Sequence, residues 1–260
     1  MVDESVLARV HLFGVLKALE LLPGHDKGSL EIAEASDLCL EFRVARVGRA
    51  RVQIGNGYIT LERSVDPGQE GSLRKPDVVL ACISPKHFNA VINGTSKPFP
   101  LKGFRLLRSA GAIFEELTDR LTHYLRSSKD AEQDSSYRAA NTRFTAYVAL
   151  HALSEIGNHD PVGRDLARRI PDGAIQFTVR SDIGLYVEVN DARLRTEVGA
   201  HNDPRCVLWF ADLQTLDGLL RGALDTYRAI GSGTMGMRGF VPMVECINPL
   251  FGRVPAYLGS

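Results

Sequence analysis

The sequence lacks the features that mark several large classes of protein. Its 31 Lys and Arg residues balance 31 Asp and Glu residues, so the formal net charge is zero and the pI is about 7.1. Proteins dedicated to nucleic acids or to anionic membranes carry a basic excess, which this chain does not have. No apolar run approaches the roughly 18 residues of a membrane helix, and the acidic start MVDESVLARV does not fit a signal peptide. We therefore expect a protein of the cytoplasm, without an integral membrane segment and without a nucleic-acid partner.

Cysteine is scarce, and its spacing argues against a metal site. The four cysteines are Cys39, Cys82, Cys206 and Cys246, and no two of them form a CxxC pair. Reduced, buried thiols in an intracellular protein are the simplest interpretation. The histidines show no ligand spacing either, and the G-x-G-x-x-G match at 231–236 does not open a helix after a strand. We predict neither a metal nor any other cofactor.

An internal duplication organises the chain. When the sequence is compared with itself, residues of the first half meet matching residues of the second half in the same order, and the offset drifts only by loop-sized gaps. The matches include Arg9 with Arg143, Leu16 with Leu150, His25-Asp26 with His159-Asp160, Phe42 with Phe177, Pro76 with Pro204, Gly103-Phe104 with Gly239-Phe240, and Tyr124 with Tyr257. We predict two similar units, a shortened one at 5–126 and a more complete one at 138–260, joined by a polar linker at 127–137.

Each unit has the same predicted order of elements. An amphipathic helix ends in a turn at Pro23-Gly24 or Gly157-Asn158, and alternating strands follow with a hairpin turn at Asn56-Gly57 or Asn190-Asp191. A strand and a helix come next. The hairpin order predicts an α+β fold of two tandem units, each with a mainly antiparallel sheet covered by helices.

The ends of the two units differ. Thr234 to Met237 predict an edge strand in the second unit, whereas Pro98 and Pro100 argue against a central strand at the same place in the first unit. The last element of the first unit is an amphipathic helix. Its counterpart contains Pro242, Pro249 and Pro255, so we expect a broken helix there.

The pattern of the second unit resembles the sterol carrier protein type-two family. The residues that carry the resemblance are Phe177 to Val179, Gly184 to Val187, Asn190-Asp191, Pro204 to Leu208, Asp212 to Leu216, Leu219 to Gly222, and Gly233 to Gly239. The first unit matches more loosely through Phe42 to Val44, Asn56-Gly57, Val78 to Leu80 and Phe88 to Gly94. The resemblance implies an apolar tunnel between sheet and helices that holds lipids or acyl groups, without catalytic residues.

Seven apolar side chains of the second unit are the candidate ligand-binding residues. Methionine has a flexible, polarisable side chain that can pack around varied ligands, and three of the four methionines fall close together in this unit. The set is Trp209, Phe210, Met235, Met237, Phe240, Met243 and Phe251. The alternative interpretation is that all seven are ordinary core residues.

The repeated His-Asp pair is the weaker candidate for chemistry. His25-Asp26 and His159-Asp160 both follow the first helix, and a histidine beside a carboxylate can transfer protons. Neighbours in sequence need not touch, and a helix cap is equally suited to this place. We assign no catalytic residue and keep these four as weak candidates.

Three functions are compatible with the sequence. The first is binding or carrying a hydrophobic small molecule, such as a lipid, a sterol-like or an acyl ligand, in an apolar cavity mainly of the second unit. The second is an enzyme of a biosynthetic pathway that acts on a small organic substrate in the same cavity. It is motivated by His159-Asp160, Asp212, Asp217, Arg221 and Asp225. The third is a scaffold that packs or forms a homodimer through apolar faces.

Overall fold

A computed structural model describes residues 2–63, 74–126, 134–180, 182–221 and 224–259. The chain divides into two compact units, Met1–Arg126 and Ser127–Ser260. Each unit contains one five-stranded sheet with helices before and after it. Most of the predicted linker, and Gly222 of the segment that resembles the sterol carrier family, lie outside the described residues. The first helix of the second unit starts at Ser135, within the segment predicted as linker.

The first unit opens with a continuous helical run and closes with a long helix. The run begins as an α-helix, continues as a π-helical turn and a 3₁₀ segment, and returns to α-helix. A separate helix, capped by Asp26, then follows. In order, the elements are α1 (Glu4–Val10), a π-helical turn (His11–Val15), a 3₁₀ segment (Leu16–Leu21), α2 (Leu22–His25), α3 (Lys27–Ala35), β1 (Asp37–Val44), β2 (Gly48–Gly55), β3 (Tyr58–Arg63), β4 (Val78–Cys82), α4 (Pro85–Ile92), β5 (Phe99–Lys102) and α5 (Leu107–Leu125).

The second unit repeats this order with one added helix and a divided last helix. Its elements are α6 (Ser135–His159), α7 (Pro161–Ala167), β6 (Gly173–Val179), β7 (Ile183–Asn190), β8 (Arg193–Val198), β9 (Cys206–Phe210), α8 (Leu213–Leu220), α9 (Thr226–Gly231), β10 (Met235–Gly239), α10 (Pro242–Phe251) and α11 (Val254–Leu258). Helix α9 has no counterpart among the described elements of the first unit, and the sequence did not predict it.

The two sheets have the same topology. The strand order is β3-β2-β1-β4-β5 in the first unit and β8-β7-β6-β9-β10 in the second. Strand β1 pairs with β4 in parallel, as β6 does with β9, and the other pairings in both sheets are antiparallel. The predicted fold class is therefore confirmed: two similar α+β units, each with a mainly antiparallel sheet.

An aromatic contact joins the central strand to a helix near the end of each unit. Alternation along the central strand turns Phe42 of β1 and Phe177 of β6 toward the helices. The Phe42 ring lies 5.1 Å from the Phe114 ring of α5, and the Phe177 ring lies 5.9 Å from the Phe251 ring of α10. The strand residues are equivalent at an offset of 135, whereas the helix residues are 137 positions apart and are not matched by the duplication.

The predicted turns after the first helix are wrong, and two short helices were missed. Gly24 lies inside α2 and Gly157 inside α6. An added Cβ on Gly157 would lie 3.0 Å from Leu250 and 3.1 Å from Leu194, so this glycine allows close packing rather than a turn. The chain instead turns at Asp26 and Asp160, which begin α3 and α7.

One predicted hairpin turn is correct and its counterpart is displaced by one residue. Asn56 and Gly57 have φ values of 54° and 78°, as a two-residue turn with two left-handed positions requires. In the second unit Asn190 is still paired with Arg193, and the turn residues are Asp191 and Ala192, with φ values of 48° and 59°. The prediction of Asn190-Asp191 followed turn propensity, whereas the register decides the position.

The ends of the units follow the predictions from proline. Strands β5 and β10 both lie at the edge of their sheets, where a proline does not interrupt a ladder on both sides. Helix α5 is continuous, whereas the last apolar segment of the second unit divides into α10 and α11. The break falls at Gly252 and Arg253, although Pro249 lies inside α10.

Candidate functional site

The strand register places part of the predicted ligand-binding set on one face of the second sheet. In the β9–β10 pair, Met235 lies opposite Phe210 and Met237 lies opposite Leu208. Directly opposed residues of antiparallel strands project to the same face, and so do residues two apart on one strand. Phe210, Met235 and Met237 therefore share a face. Trp209 lies between Leu208 and Phe210 on β9 and projects to the opposite face.

An apolar row crosses the sheet on the face that carries the methionines. Met237 is in register with Leu208, and Leu208 is in register with Phe177 on the neighbouring parallel strand. Phe177 meets the ring of Phe251 edge to face at 72°. Phe177 and Leu208 are buried, whereas Met237 and Phe251 are half-buried. The row thus becomes more accessible toward the edge strand β10.

The two remaining members of the predicted set lie after this strand. Met243 is fully buried on α10, a helix that packs mainly against α6 and α7. Phe240 is 39% exposed, and the guanidinium group of Arg205 lies 4.5 Å above its ring. The structure thus brings Phe210, Met235, Met237 and Phe251 to one layer, and it separates Trp209 and Phe240 from that layer.

Trp209 covers a glycine of the neighbouring strand. Gly236 is the register partner of Trp209, and a Cβ added to Gly236 would lie 2.5 Å from the indole ring. Only a residue without a side chain leaves room for this ring. The contact explains why a glycine stands between two methionines in β10.

An open cleft of about 570 Å³ lies elsewhere in the second unit, between α6, the β6–β7 turn and the start of α8. Its lining is mixed polar and apolar and contains none of the seven predicted residues. The lining residues are Ser135, Arg138, Ala139, Thr142, Val179, Arg180, Asp182, Ala211, Asp212, Leu213, Gln214 and Asp217. The cleft is therefore distinct from the apolar row on the sheet.

The acidic residues of this cleft hold the fold together. Asp212 caps α8 by accepting a hydrogen bond from the Thr215 amide at 2.7 Å. The buried Asp217 accepts hydrogen bonds from Arg138 at 3.0 Å and from Arg221 at 2.6 Å, which ties α8 to α6. Burial opposes the charge of Asp217, but these bonds outweigh it and hold its pKa below the ordinary value.

Sequence reasoning missed the role of Arg138, although the duplication contains the signal. Arg138 and Asp217 correspond to Glu4 and Asn89 at offsets of 134 and 128. Asn89 donates a hydrogen bond of 2.6 Å to the Glu4 side chain, so the same two positions join the first helix to the fourth in the first unit. The alignment of the two copies shows that the positions are equivalent, whereas the contact between them is seen only in the structure.

The two aspartates of the repeated His-Asp pair have the same structural role. Asp26 accepts a hydrogen bond from the Ser29 amide at the start of α3 and pairs with Arg120 of α5 at 2.8 Å. Asp160 accepts one from the Gly163 amide at the start of α7, at 2.7 Å, and lies 2.9 Å from Arg253. Arg120 and Arg253 are themselves equivalent, at an offset of 133.

A tyrosine reinforces each of these bridges. The Tyr257 hydroxyl donates a hydrogen bond of 2.6 Å to Asp160, and its counterpart Tyr124 donates one of 3.3 Å to the carbonyl of His25. Burial opposes the charge of Asp160, but the bonds from Tyr257, the Gly163 amide and Arg253 keep its pKa below the ordinary value. This environment stabilises the ionised carboxylate and does not favour proton uptake.

The two histidines contact their own helices. His25 Nδ1 lies 2.9 Å from the carbonyl oxygen of Leu21, one turn earlier. His159 Nε2 lies 3.8 Å from the Glu155 carboxylate, also one turn earlier. These contacts suit the end of a helix, where a histidine interacts favourably with the last carbonyl groups.

Three solved structures that match are sterol carrier protein domains. A domain from Helicoverpa armigera shares 14% identity and covers 44% of this chain and 89% of its own, with a TM-score of 0.35. A sterol carrier protein 2 like protein from Aedes aegypti shares 15% identity and covers 40% and 93%, with a TM-score of 0.31. A protein named UbiJ-SCP2 Ubiquinone synthesis protein shares 15% identity and covers 43% and 98%, with a TM-score of 0.32.

These are the domains that the sequence pattern resembles, and each covers about the length of one unit. No family model and no curated protein matches the chain. Because the identities and TM-scores are low, function has to come from the geometry of the chain itself. Among the described residues, no helix is long and apolar enough to cross a membrane, and no cluster of His, Cys, Asp or Glu has the arrangement of a metal site.

Proposed function

We propose that the chain binds or carries a hydrophobic small molecule, of lipid, sterol-like or acyl type, on the helix-facing side of the second sheet. The observation that supports this is the apolar row of Met237, Leu208 and Phe177 with Phe251 above it. Met237 on the edge strand and Phe251 on α10 are half-buried, and an apolar ligand would remove them from water. Each Å² of apolar surface buried on binding contributes about 25 cal/mol.

The composition of the row suits a ligand more than a fixed core. Met237 in the row and the buried Met235 beside it have flexible side chains that can adapt to an acyl chain or a ring system. Gly236 keeps the strand between them close to Trp209, so the opposite face of the strand is already filled. A ligand would therefore approach from the methionine side.

Ligand binding by the purified full-length chain tests this proposal. Native mass spectrometry should detect a co-purified apolar ligand. A fluorescent fatty acid should also bind to the chain, which its change in emission measures. Met237→Asp should weaken this binding by about tenfold or more, because it places a charge beside the apolar ligand. Val162→Asp, which changes a half-exposed apolar residue on α7 of the same unit, should bind as the unchanged chain does. Absence of both a ligand and fluorescent binding would contradict the proposal.

The enzymatic alternative gains no support from the carboxylates that suggested it. Asp212 and Asp225 cap α8 and α9, Asp217 is held by two arginines, and Asp160 is held by Arg253 and Tyr257. A general base needs a carboxylate that can accept a proton from a substrate. We therefore do not propose a reaction for this site.

A further inference from the structure

Charge is distributed unevenly within the neutral chain. Residues 78–114 of the first unit contain five cations and no acidic residue. The corresponding segment of the second unit, residues 206–248, contains three arginines and four acidic residues. The duplication therefore supplies an internal comparison, and the basic excess is specific to the first unit. The five cations are Lys86, Lys97, Lys102, Arg105 and Arg108.

The same segment exposes large apolar side chains. Phe99 and Leu101 of the edge strand β5 are 52% and 55% exposed, and Phe104 and Leu106 in the following turn are 68% and 46% exposed. Ile83, 71% exposed, precedes α4. Exposed apolar residues that lie together on a protein usually mark an interaction site.

Contacts within the first unit hold these residues in one region. The His87 ring lies 5.4 Å from the Phe99 ring, its Nε2 lies 3.0 Å from the carbonyl of Lys97, and its Nδ1 accepts a hydrogen bond from the Ile83 amide. Ile83 and Phe99 thus flank the same imidazole. Leu101 lies at the irregular step of β5, between Pro100, which pairs with Leu80, and Lys102, which pairs with Val79.

The turn after β5 is fixed by a glycine. Gly103 has a φ of +83°, and an added Cβ would lie 2.4 Å from the carbonyl oxygen of Asp77. The chain therefore passes close to the start of β4 and presents Phe104, Arg105 and Leu106 outward, and all three are exposed. The apolar and basic side chains alternate along this turn instead of separating into two regions.

We propose that this apolar and basic surface, formed by Ile83, Lys97, Phe99, Leu101 and 104–108, docks on an anionic lipid bilayer. Among the described residues, no carboxylate pairs with any of the five cations, so their charge is available to a partner. Interspersed cations and exposed aromatic or aliphatic side chains are suited to the boundary between lipid headgroups and acyl chains. The neutral charge of the whole chain does not oppose this, because the attraction acts within a Debye length of the surface.

Sedimentation of the full-length chain with vesicles tests the proposal. Binding should be strong to vesicles of phosphatidylcholine with about one third phosphatidylserine and weak to vesicles of phosphatidylcholine alone. It should also fall when the salt concentration is raised from about 0.05 M to about 0.5 M. Equal binding to both kinds of vesicle, or no binding to either, would overturn the proposal. Binding of an acidic polypeptide without binding of anionic vesicles would overturn it in favour of a protein partner.

Paired variants separate the two contributions. Arg105→Gln with Arg108→Gln should weaken binding to anionic vesicles about 25-fold, at about fivefold for each cation lost. Phe104→Ser should weaken it by about tenfold through lost apolar burial. The matched controls in the second unit, Arg238→Gln and Tyr227→Ser, change exposed residues and should bind as the unchanged chain does. Equal losses in the controls would also overturn the proposal. The readout needs no small-molecule ligand, so its failure and that of the proposed function are distinguishable.

Discussion

Asp26 and Asp160 combine a helix cap with a bridge to the last helical segment of their unit. A cap contributes about 1 kcal/mol, and the ion pair adds to it, because its loss leaves a partly buried arginine without its carboxylate. Asp160 also accepts the Tyr257 hydroxyl bond and is less exposed than Asp26. Aspartate at this equivalent position therefore stabilises the second unit more than the first.

We predict that Asp160→Ala lowers the free energy of unfolding by about 2–4 kcal/mol and Asp26→Ala by about 1–2 kcal/mol. Chemical denaturation followed by circular dichroism measures both. Asp165→Ala is the control, because Asp165 and Arg168 form a pair on the surface and its removal should cost less than about 0.5 kcal/mol. Equal effects of all three variants would contradict the structural role.

Ala192 occupies a left-handed position that its equivalent fills with glycine. Left-handed backbone costs an alanine about 1 kcal/mol relative to glycine. Ala192→Gly should therefore raise the free energy of unfolding by about 0.5–1 kcal/mol, and Gly57→Ala should lower it by a similar amount. Changes of opposite sign in the free energy of unfolding of the two variants, measured in the same denaturation experiment, support the turn assignment. A loss of stability in Ala192→Gly would speak against it.

At the scale of elements, Gly236 of β10 and the indole of Trp209 form a contact that can be measured directly. Trp209 is the only tryptophan in the chain. Gly236→Ala should displace the ring toward solvent, shift its emission to longer wavelength and cost about 1–3 kcal/mol. Gly231→Ala on α9 is the control, because an added Cβ there meets nothing within 4 Å. Unchanged emission in Gly236→Ala would show that the ring does not lie on this strand.

The elements that sequence predicts well are those with strong periodicity or with proline. Alternation identified the central strands, and Pro98 and Pro100 correctly argued against a central strand in the first unit. The prolines after 241 correctly indicated a broken helix, although the break falls at Gly252 and Arg253. Helices α3 and α7 were missed because they are short and follow Pro23-Gly24 and Gly157-Asn158, which suggested a turn. Gly157 has a packing role that only the positions of Leu194 and Leu250 explain.

The candidate site could be predicted from sequence only in part. The Met235-Gly-Met237 strand and its apolar neighbours were identified by composition. The separation of Trp209 from Phe210 follows from strand alternation, which was predicted but not applied to these two residues. The cleft beside α8 depends on contacts between residues about 80 positions apart, such as Arg138 and Asp217, and composition does not contain that information.

At the scale of the whole molecule, stability should depend on pH through carboxylates of both units. The pKa values of Asp26, Glu41, Asp160 and Asp217 all lie below their ordinary values, because hydrogen bonds to each carboxylate outweigh the cost of its burial. Such groups bind protons more weakly in the folded state than in the unfolded state. Their contribution is complete above the unfolded pKa values of about 4 and is lost as the pH falls through the folded values.

We therefore predict a thermal midpoint that falls moderately between about pH 7 and pH 5, where burial lowers the pKa of His11, and steeply below about pH 4. Differential scanning calorimetry across this range measures it. The thermal midpoint of Asp160→Asn should fall less steeply with pH than that of the unchanged chain, because one of the titrating groups is absent. A midpoint that rises as the pH is lowered below 4 would contradict the assigned directions.

The bridges from Asp26 to Arg120 and from Asp160 to Arg253 also have a consequence for synthesis. Each arginine lies near the carboxyl end of its own unit, so a nascent chain on the ribosome cannot complete a unit until that unit's last helix has emerged. The first unit can fold while the second is still being translated, because Arg120 precedes the whole of the second unit. Only one immature core is then exposed at a time, which limits the mispairing that two near-identical topologies would otherwise invite.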